Sequence, residues 1–111
     1  MDITSRQAGS ALVVAINDSR IDAAVAIEFK EAVRAACEAP GSPVILDLSR
    51  VGFLDSSGLG AVVAVMKLLG PDRPLELAGL TDPVAKVFRL TRMDRIFTIH
   101  PAAPDAMKAT G

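Results

Sequence analysis

The chain has 111 residues, of which 12 are Lys or Arg and 13 are Asp or Glu, so its formal net charge is -1. This length predicts one domain, residues 1–111, and the balanced charge excludes the basic footprint of a protein that binds nucleic acid or an anionic membrane. The single Cys and the single His exclude an internal disulfide and the common zinc sites, and we expect no cofactor.

The sequence carries no signal for a membrane. Its longest apolar run, Leu59 to Met66, has 8 residues, whereas a membrane span needs about 20. Residues Met1 to Thr4 show no basic patch followed by an apolar core, so no signal peptide is predicted. We therefore expect a protein of the reducing cytoplasm that does not insert directly into a membrane.

The chain opens with the pattern of a β-hairpin. The run Ala11–Ile16 is short and β-branched, which predicts a strand. Ile3 to Gln7 alternates weakly and is expected to pair with it across a tight turn at residues 8–10. Polar residues 17–20 are then predicted to form a loop.

A helix and a second strand follow. Asp22 is placed to cap a helix from Ala23 to about Ala39, in which apolar residues recur at helical spacing. Cys37 shares the apolar face of this helix and is assigned to the core. After a Pro and Gly break, Val44–Leu48 reads as an apolar, β-branched strand.

The second half repeats this alternation. We predict a helix at Gly58–Leu69, a strand at Leu75–Ala78, a helix that opens at Thr81 and a last strand at Ile96–Ile99. Two interpretations are open for the end of the chain, a short helix at residues 105–108 that closes the sheet or a frayed terminus. Strands that alternate with helices predict an α/β fold with a mostly parallel sheet.

The least generic stretch is Val51 to Gly60, which places Asp55, Ser56 and Ser57 at the start of the second helix. A helix start carries unpaired N–H groups and a partial positive charge, so these residues could simply form a cap. The stretch lacks both the pattern of a phosphate-binding loop and the spacing of a nucleophile elbow. The interpretation that competes with capping is a serine hydroxyl that accepts a phosphoryl group.

Catalysis is the weakest interpretation of the same residues. A nucleophile at Asp55 or Ser56 would need a general base, and none is evident in the sequence. The only His, His100, follows the predicted last strand and is expected to be exposed to solvent. We therefore expect that the protein is not an enzyme.

The predicted second helix has an unusual composition, because Lys67 is its only charged residue between Leu59 and Leu69. A helix that is apolar all round is either buried on several sides or covered by another chain. Full internal burial is difficult in so small a domain. A docking face that begins at Ser56 and runs along this helix, through Ala61 and Ala64, is therefore one of two open interpretations.

A resemblance to a known family is carried by two runs, Val44-Ile45-Leu46-Asp47-Leu48-Ser49 and Phe53-Leu54-Asp55-Ser56-Ser57-Gly58-Leu59-Gly60. Together they resemble the signature of the STAS domain, named after sulfate transporters and anti-sigma factor antagonists. The resemblance covers essentially the whole chain. It implies a mixed sheet of about five strands with the helices packed largely on one face.

The resemblance also implies a mechanism. Antagonists of this family bind, when unphosphorylated, an anti-sigma factor that is a GHKL-type serine kinase, and this binding releases the sigma factor. The kinase then phosphorylates the antagonist, and a PP2C-type phosphatase reverses the reaction. The family's acceptor falls on Ser56, with Ser57 as the fallback, and the implied partner-binding residues are Asp22, Asp55, Ser56, Ser57, Gly58 and Leu59.

An alternative within the same family is a STAS subunit of a lipid-transport ATP-binding cassette complex. In that case the second helix would dock on the transporter and Ser56 would not be phosphorylated. A homodimer also remains open.

The chain departs from the family pattern at two turns. Residues 17–19 stand where many members have Gly before the first helix. Arg92 stands where many members have Gly after the third helix, so the usual left-handed terminating residue is missing and the helix is expected to end differently.

Overall fold

The computed structural model describes residues 1–104. In chain order, the helices and strands of this part are β1 (Ile3–Ala8), β2 (Ala11–Ile16), β3 (Arg20–Ile21), α1 (Ala26–Ala36), β4 (Val44–Asp47), β5 (Phe53–Leu54), α2 (Ser56–Leu69), β6 (Leu75–Ala78), α3 (Asp82–Leu90), a 3₁₀ turn (Met93–Arg95) and β7 (Ile99–His100). The helix considered at residues 105–108 lies outside the described residues.

The main sheet has five strands in the order β1-β2-β4-β6-β7. The β1–β2 hairpin is antiparallel, with Ile3 opposite Ile16, whereas β2, β4, β6 and β7 run parallel to one another. The predicted α/β class, with about five strands and a mostly parallel sheet, is confirmed. Parallel neighbours require crossover connections, and α1, α2 and α3 provide them.

The core lies between the helices and one face of this sheet. On that face alternate strand residues such as Leu12, Val14 and Leu46 are buried together with Phe29 of α1 and Phe88 of α3. The side chains of Val65 and Val62 on α2 join the same cluster. Helix packing on one face, as the family resemblance implied, is therefore confirmed.

The strands are apolar on their other face as well. Val13, Ile45 and Ala78 point away from the helices and form a smaller buried cluster with Ala103. This second cluster explains why the strand sequences read as continuous apolar runs rather than alternating ones.

Helix α1 is shorter than the sequence predicted. It begins at Ala26 rather than Ala23, because the Asp22 carboxylate accepts a 3.1 Å hydrogen bond from the Ala24 N–H and holds a turn before the helix. Asp22 is therefore not the cap, and Val25 occupies that position without a side-chain hydrogen bond.

The other end of α1 is closed by a side chain from a distant loop. The Arg73 guanidinium donates hydrogen bonds to the carbonyl oxygens of Cys37, Ala39 and Gly41 at 2.6, 2.6 and 2.8 Å. The predicted core position of Cys37 is confirmed, since Cys37 is only 8% exposed.

The end of α3 also differs from the prediction. Arg92 itself adopts the left-handed conformation, with φ 62°, that usually requires Gly at this position. A 3₁₀ turn follows, and Phe97 packs edge-on against Phe88 with ring centroids 5.9 Å apart. The predicted strand Ile96–Ile99 is wrong for this reason, because Phe97 is needed in the core and the strand begins only at Ile99.

A small second sheet was not predicted. Arg20 pairs with Phe53 and Ile21 with Leu54 in a two-residue parallel ladder between β3 and β5. Arg20 had been assigned to a loop, since two residues carry no periodicity. This ladder brings the segment before α1 next to the segment before α2.

Candidate functional site

The candidate site is the start of helix α2. Asp55 is the N-cap residue, with an extended backbone, and Ser56 and Ser57 are the first two helical residues. Both serines are exposed, and within residues 1–104 neither hydroxyl forms a hydrogen bond. A visiting enzyme can therefore reach the Ser56 oxygen, as the phosphate-acceptor interpretation requires.

The Asp55 carboxylate uses both of its oxygens to connect two segments. One accepts a 2.9 Å hydrogen bond from the Gly58 N–H, and the other accepts a 3.2 Å hydrogen bond from the Ala23 N–H. The first bond is the predicted cap. The second bond ties the turn before α1 to the start of α2, so Asp55 fixes where Ser56 lies.

Gly58 permits a very close approach between α2 and β3. A Cβ atom at this position would lie 2.1 Å from the carbonyl oxygen of Ile21. Gly58 is buried, and its absence of a side chain is what lets the helix start rest on the small sheet.

The other two residues of the predicted partner-binding set have local contacts. The Asp22 side chain is 22% exposed. Its carboxylate forms an ion pair with the Arg20 Nε at 3.2 Å and also accepts the hydrogen bond from the Ala24 N–H that closes the turn. Leu59 is partly buried and packs against the main core. Among the predicted set, the exposed residues are thus Ser56 and Ser57, and the others shape the surface around them.

Sequence reasoning missed the aromatic residue beside the serines. The Phe53 side chain is 41% exposed, and the Arg20 guanidinium stacks over its ring at 4.5 Å from the centroid. A cation stacked on an exposed ring two residues before the helix cap is typical of an interaction surface. Only the register of the β3–β5 ladder brings Arg20 and Phe53 together, so no local sequence signal could have found the pair.

Helix α2 is buried on some sides and open on another. Ala61 is 7% exposed and Val62 is fully buried, so the inner sides face the core and α1. That Ala61 belongs to a docking face stays a prediction, because Ala61 lines the groove between α1 and α2 but exposes little surface of its own.

The open side of α2 forms a groove with α1. Near the serines the groove has a volume of 220 Å³ and is lined by Ser57, Gly60, Ala61 and Ala64 on α2 and by Ala26, Ile27 and Lys30 on α1. Ile27 is 76% exposed at its edge. The groove continues toward the exposed Leu68, where it is lined by charged residues of α1.

The residues that could support other chemistries are placed elsewhere in the fold. The His100 side chain on β7 is 38% exposed, as a solvent-accessible His was expected to be, but its Nε2 atom lies 2.7 Å from Oε1 of Glu76, a contact that was not predicted. Within residues 1–104 no three His, Cys, Asp or Glu residues come together as a metal site. None of the helices in this described part is long and apolar enough to cross a membrane.

The chain belongs to the STAS domain family, because the sequence model of that family matches residues 2–106. A sequence relative, named anti-sigma-B factor antagonist from Listeria monocytogenes serovar 1/2a, is 35% identical over 80 residues, which cover 71% of this chain and 70% of the relative. Among solved structures, an anti-sigma factor antagonist from Mycobacterium paratuberculosis is 25% identical, with a TM-score of 0.81 over 97% of this chain and 92% of the other.

A STAS domain protein from Planctomyces limnophilus has a TM-score of 0.84 at 19% identity, over 98% of this chain and 97% of the other. At that identity the likeness establishes the fold alone. Both the family and its predicted fold are thus confirmed.

Proposed function

We propose that this protein is an anti-sigma factor antagonist whose binding is switched by phosphorylation of Ser56, with Ser57 as the fallback acceptor. The observation that carries the proposal is the exposed, unbonded Ser56 hydroxyl on the first turn of α2. The names of the sequence relative and of the Mycobacterium structure support the same function.

The partners follow from the family. In its unphosphorylated form the protein binds an anti-sigma factor that is a GHKL-type serine kinase, and the sigma factor is released. A PP2C-type phosphatase restores the unphosphorylated form. The protein itself acts in the cytoplasm as a binding module without catalytic activity.

The proposed docking surface consists of Ser56, Ser57 and the stacked Arg20–Phe53 pair, with Asp22 at its edge. Phe53 contributes apolar area that a partner can bury, and Arg20 supplies a planar cation that can pair with an acidic group of the partner. Asp55, Gly58 and Leu59 hold this surface in place, through the cap, the close approach to Ile21 and the core respectively.

A phosphate on Ser56 changes this surface without unfolding it. The N–H groups of Ser56 and Ser57 have no acceptor within the helix, and the helix start favours negative charge. The phosphoserine carries a charge of about -1.5 to -2. The helix therefore tolerates the modification, and the switch acts at the interface with the partner.

The size of the switch can be estimated from electrostatics. A phosphate charge about 5 Å from a partner carboxylate, at an effective dielectric constant of about 40, costs on the order of 1.7 kcal/mol. Two charges double this, which weakens binding by roughly a few hundred-fold. A partner that presents acidic groups to Ser56 would thus be released by a single modification.

The test uses the purified protein, ATP and the GHKL-type anti-sigma factor kinase from the same genome. Mass spectrometry locates the modified residue, with Ser56→Ala and Ser57→Ala as matched variants. We expect modification of the wild type and of Ser57→Ala, and none of Ser56→Ala. Titration calorimetry should show that the phosphorylated protein binds the kinase at least about a hundred-fold more weakly.

One result would select the fallback acceptor, and another would contradict the proposal. Continued modification of Ser56→Ala would move the acceptor to Ser57. Equal affinity of the kinase for the phosphorylated and unmodified protein would remove the switch altogether. An unmodified chain that bound a lipid-transporter subunit instead would support the transporter-associated alternative.

A further inference from the structure

The exposed large apolar side chains of the described residues fall into two groups. Ile27, Phe53 and Leu68 lie on α1, β5 and α2. Phe53 belongs to the proposed docking surface, and Ile27 and Leu68 line the groove that begins beside Ser57. Leu90 and Ile96, which are 71% and 56% exposed, lie instead at the end of α3 and after the 3₁₀ turn. The proposed function does not account for this second group.

Basic residues surround the second group. We name this surface the α3 corner and define it by the exposed residues Lys86, Arg89, Leu90, Arg92, Arg95 and Ile96. Residues 86–95 hold four of the 12 Lys and Arg and only one of the 13 Asp and Glu, so the remainder of the chain is clearly acidic. Within the described part of the chain, none of these four cations forms an ion pair or a side-chain hydrogen bond.

Arg92 provides an independent indication that this surface is used. It is the only non-glycine residue with a positive φ in residues 1–104. An L side chain in this conformation costs roughly 1 kcal/mol relative to Gly. A strained residue that also adds a cation to a basic surface is typical of a position kept for binding rather than for stability.

An open cleft of 420 Å³ adjoins the α3 corner. Leu80, Ala85, Ile99 and Pro101 give it apolar walls, and Arg89, which also belongs to the corner, lines it together with Asp94 and His100. Lys86 lies three residues before Arg89 and four before Leu90, and residues at these spacings share one helix face, so Lys86 connects Arg89 and Leu90 on the outer side of α3. The basic surface and the cleft are therefore continuous.

We propose that the α3 corner is a second docking surface, and that it binds an acidic segment of a protein partner that also carries apolar side chains. Carboxylates of the segment pair with Arg89, Arg92 and Arg95, and an apolar side chain enters the cleft. A flat lipid surface could contact the cations but could not fill a concave site, so the shape favours a polypeptide.

The test uses the full chain and a short synthetic peptide of alternating glutamate and leucine, with a glutamine–leucine peptide as control. Amide chemical shifts in NMR locate the binding. We expect shifts confined to residues 80–101 on addition of the glutamate peptide, little response to the control peptide, and weaker binding at higher salt.

Matched variants sharpen this experiment. Arg89→Glu should weaken binding of the glutamate peptide about fivefold or more, whereas Arg50→Glu, at an exposed site outside the corner, should leave it within about twofold. Arg92→Gly should bind the peptide more weakly although the protein becomes more stable. That opposite response separates a binding role from a folding role.

Several outcomes would overturn the proposal. These are the absence of peptide binding, shifts centred on the α1–α2 groove, or equal effects of Arg89→Glu and Arg50→Glu. Co-sedimentation with phosphatidylserine vesicles, lost in Arg89→Glu, without any peptide binding would show that the corner recognises lipid instead. None of these results bears on the phosphorylation of Ser56.

Discussion

The Asp55 carboxylate accepts a 3.2 Å hydrogen bond from the backbone N–H of Ala23, which lies 32 residues earlier in the chain. Its other oxygen caps α2 through Gly58. One side chain thus sets the distance between the turn before α1 and the first turn of α2. The exposed Ser56 follows it directly, so the geometry of the candidate acceptor depends on this bridge.

Substitution at Asp55 should separate the two bonds. Asp55→Asn keeps one side-chain oxygen as the cap but loses the second acceptor, so we expect a loss of about 1 kcal/mol in the free energy of unfolding. Asp55→Ala loses both bonds and should cost about 2 kcal/mol. Urea denaturation measures both values, and Asp72→Asn, at an exposed turn, serves as the control. Equal stability of wild type and Asp55→Asn would show that the bridge to Ala23 contributes nothing.

Two glycines of helix α2 should respond in opposite directions to alanine. At Gly58 the new Cβ would meet the Ile21 carbonyl oxygen at 2.1 Å, so Gly58→Ala should destabilise the protein by about 2 kcal/mol or more. At Gly60 nothing lies within 4 Å, so Gly60→Ala should stabilise it by roughly 0.5–1 kcal/mol. Thermal unfolding compares the pair, and a neutral Gly58→Ala would mean that α2 does not rest on β3 as described.

The left-handed residue after α3 should be more stable as glycine. Arg92→Gly removes the steric cost of φ 62° and should raise the free energy of unfolding by roughly 0.5–1 kcal/mol. Arg89→Gly, inside the helix, should lower it by a similar amount. The urea concentrations at the midpoint of unfolding compare the two variants with the wild type. A loss of stability in Arg92→Gly would contradict the conformation assigned to this turn.

The Cys37 thiol should make stability depend on alkaline pH. Burial raises the pKa of this thiol above its ordinary value of 9.0, and the nearby Arg73 opposes part of the rise. A raised pKa in the folded state means that the stabilisation is present below the unfolded pKa and is lost as pH rises above it.

Denaturation at several pH values tests this dependence. Between pH 8 and pH 10 the free energy of unfolding should fall more steeply in the wild type than in Cys37→Ala. Thiol-specific reagents should also modify the folded protein slowly at pH 8 and the unfolded protein rapidly. If the free energy of unfolding falls equally with pH in the wild type and in Cys37→Ala, the Cys37 thiol is not the group that causes the fall.

Sequence patterns located most of the elements because their signals are local. The apolar runs at β2, β4 and β6 and the helical periodicity of α1 were enough to predict an α/β fold. Prediction failed where a distant contact decided the outcome. The last strand moved from Ile96–Ile99 to Ile99–His100 because Phe97 packs on Phe88. Helix α1 is shorter than predicted because the turn that Asp22 closes on Ala24 is also held from outside, by the Asp55 carboxylate that accepts from the Ala23 N–H.

The fold class, the family and the serine at the start of α2 could be predicted from the amino-acid sequence, because periodicity, capping residues and the Asp-Ser-Ser-Gly run are all short-range features. Which of the neighbouring residues are exposed could not be predicted, since burial depends on what packs from elsewhere in the chain. The folded chain places Arg20 over Phe53, Ala23 against Asp55 and Ile21 against Gly58, in each case through the β3–β5 ladder. Two-residue strands carry too little pattern to be read locally, so the surface around Ser56 becomes visible only once the chain has folded.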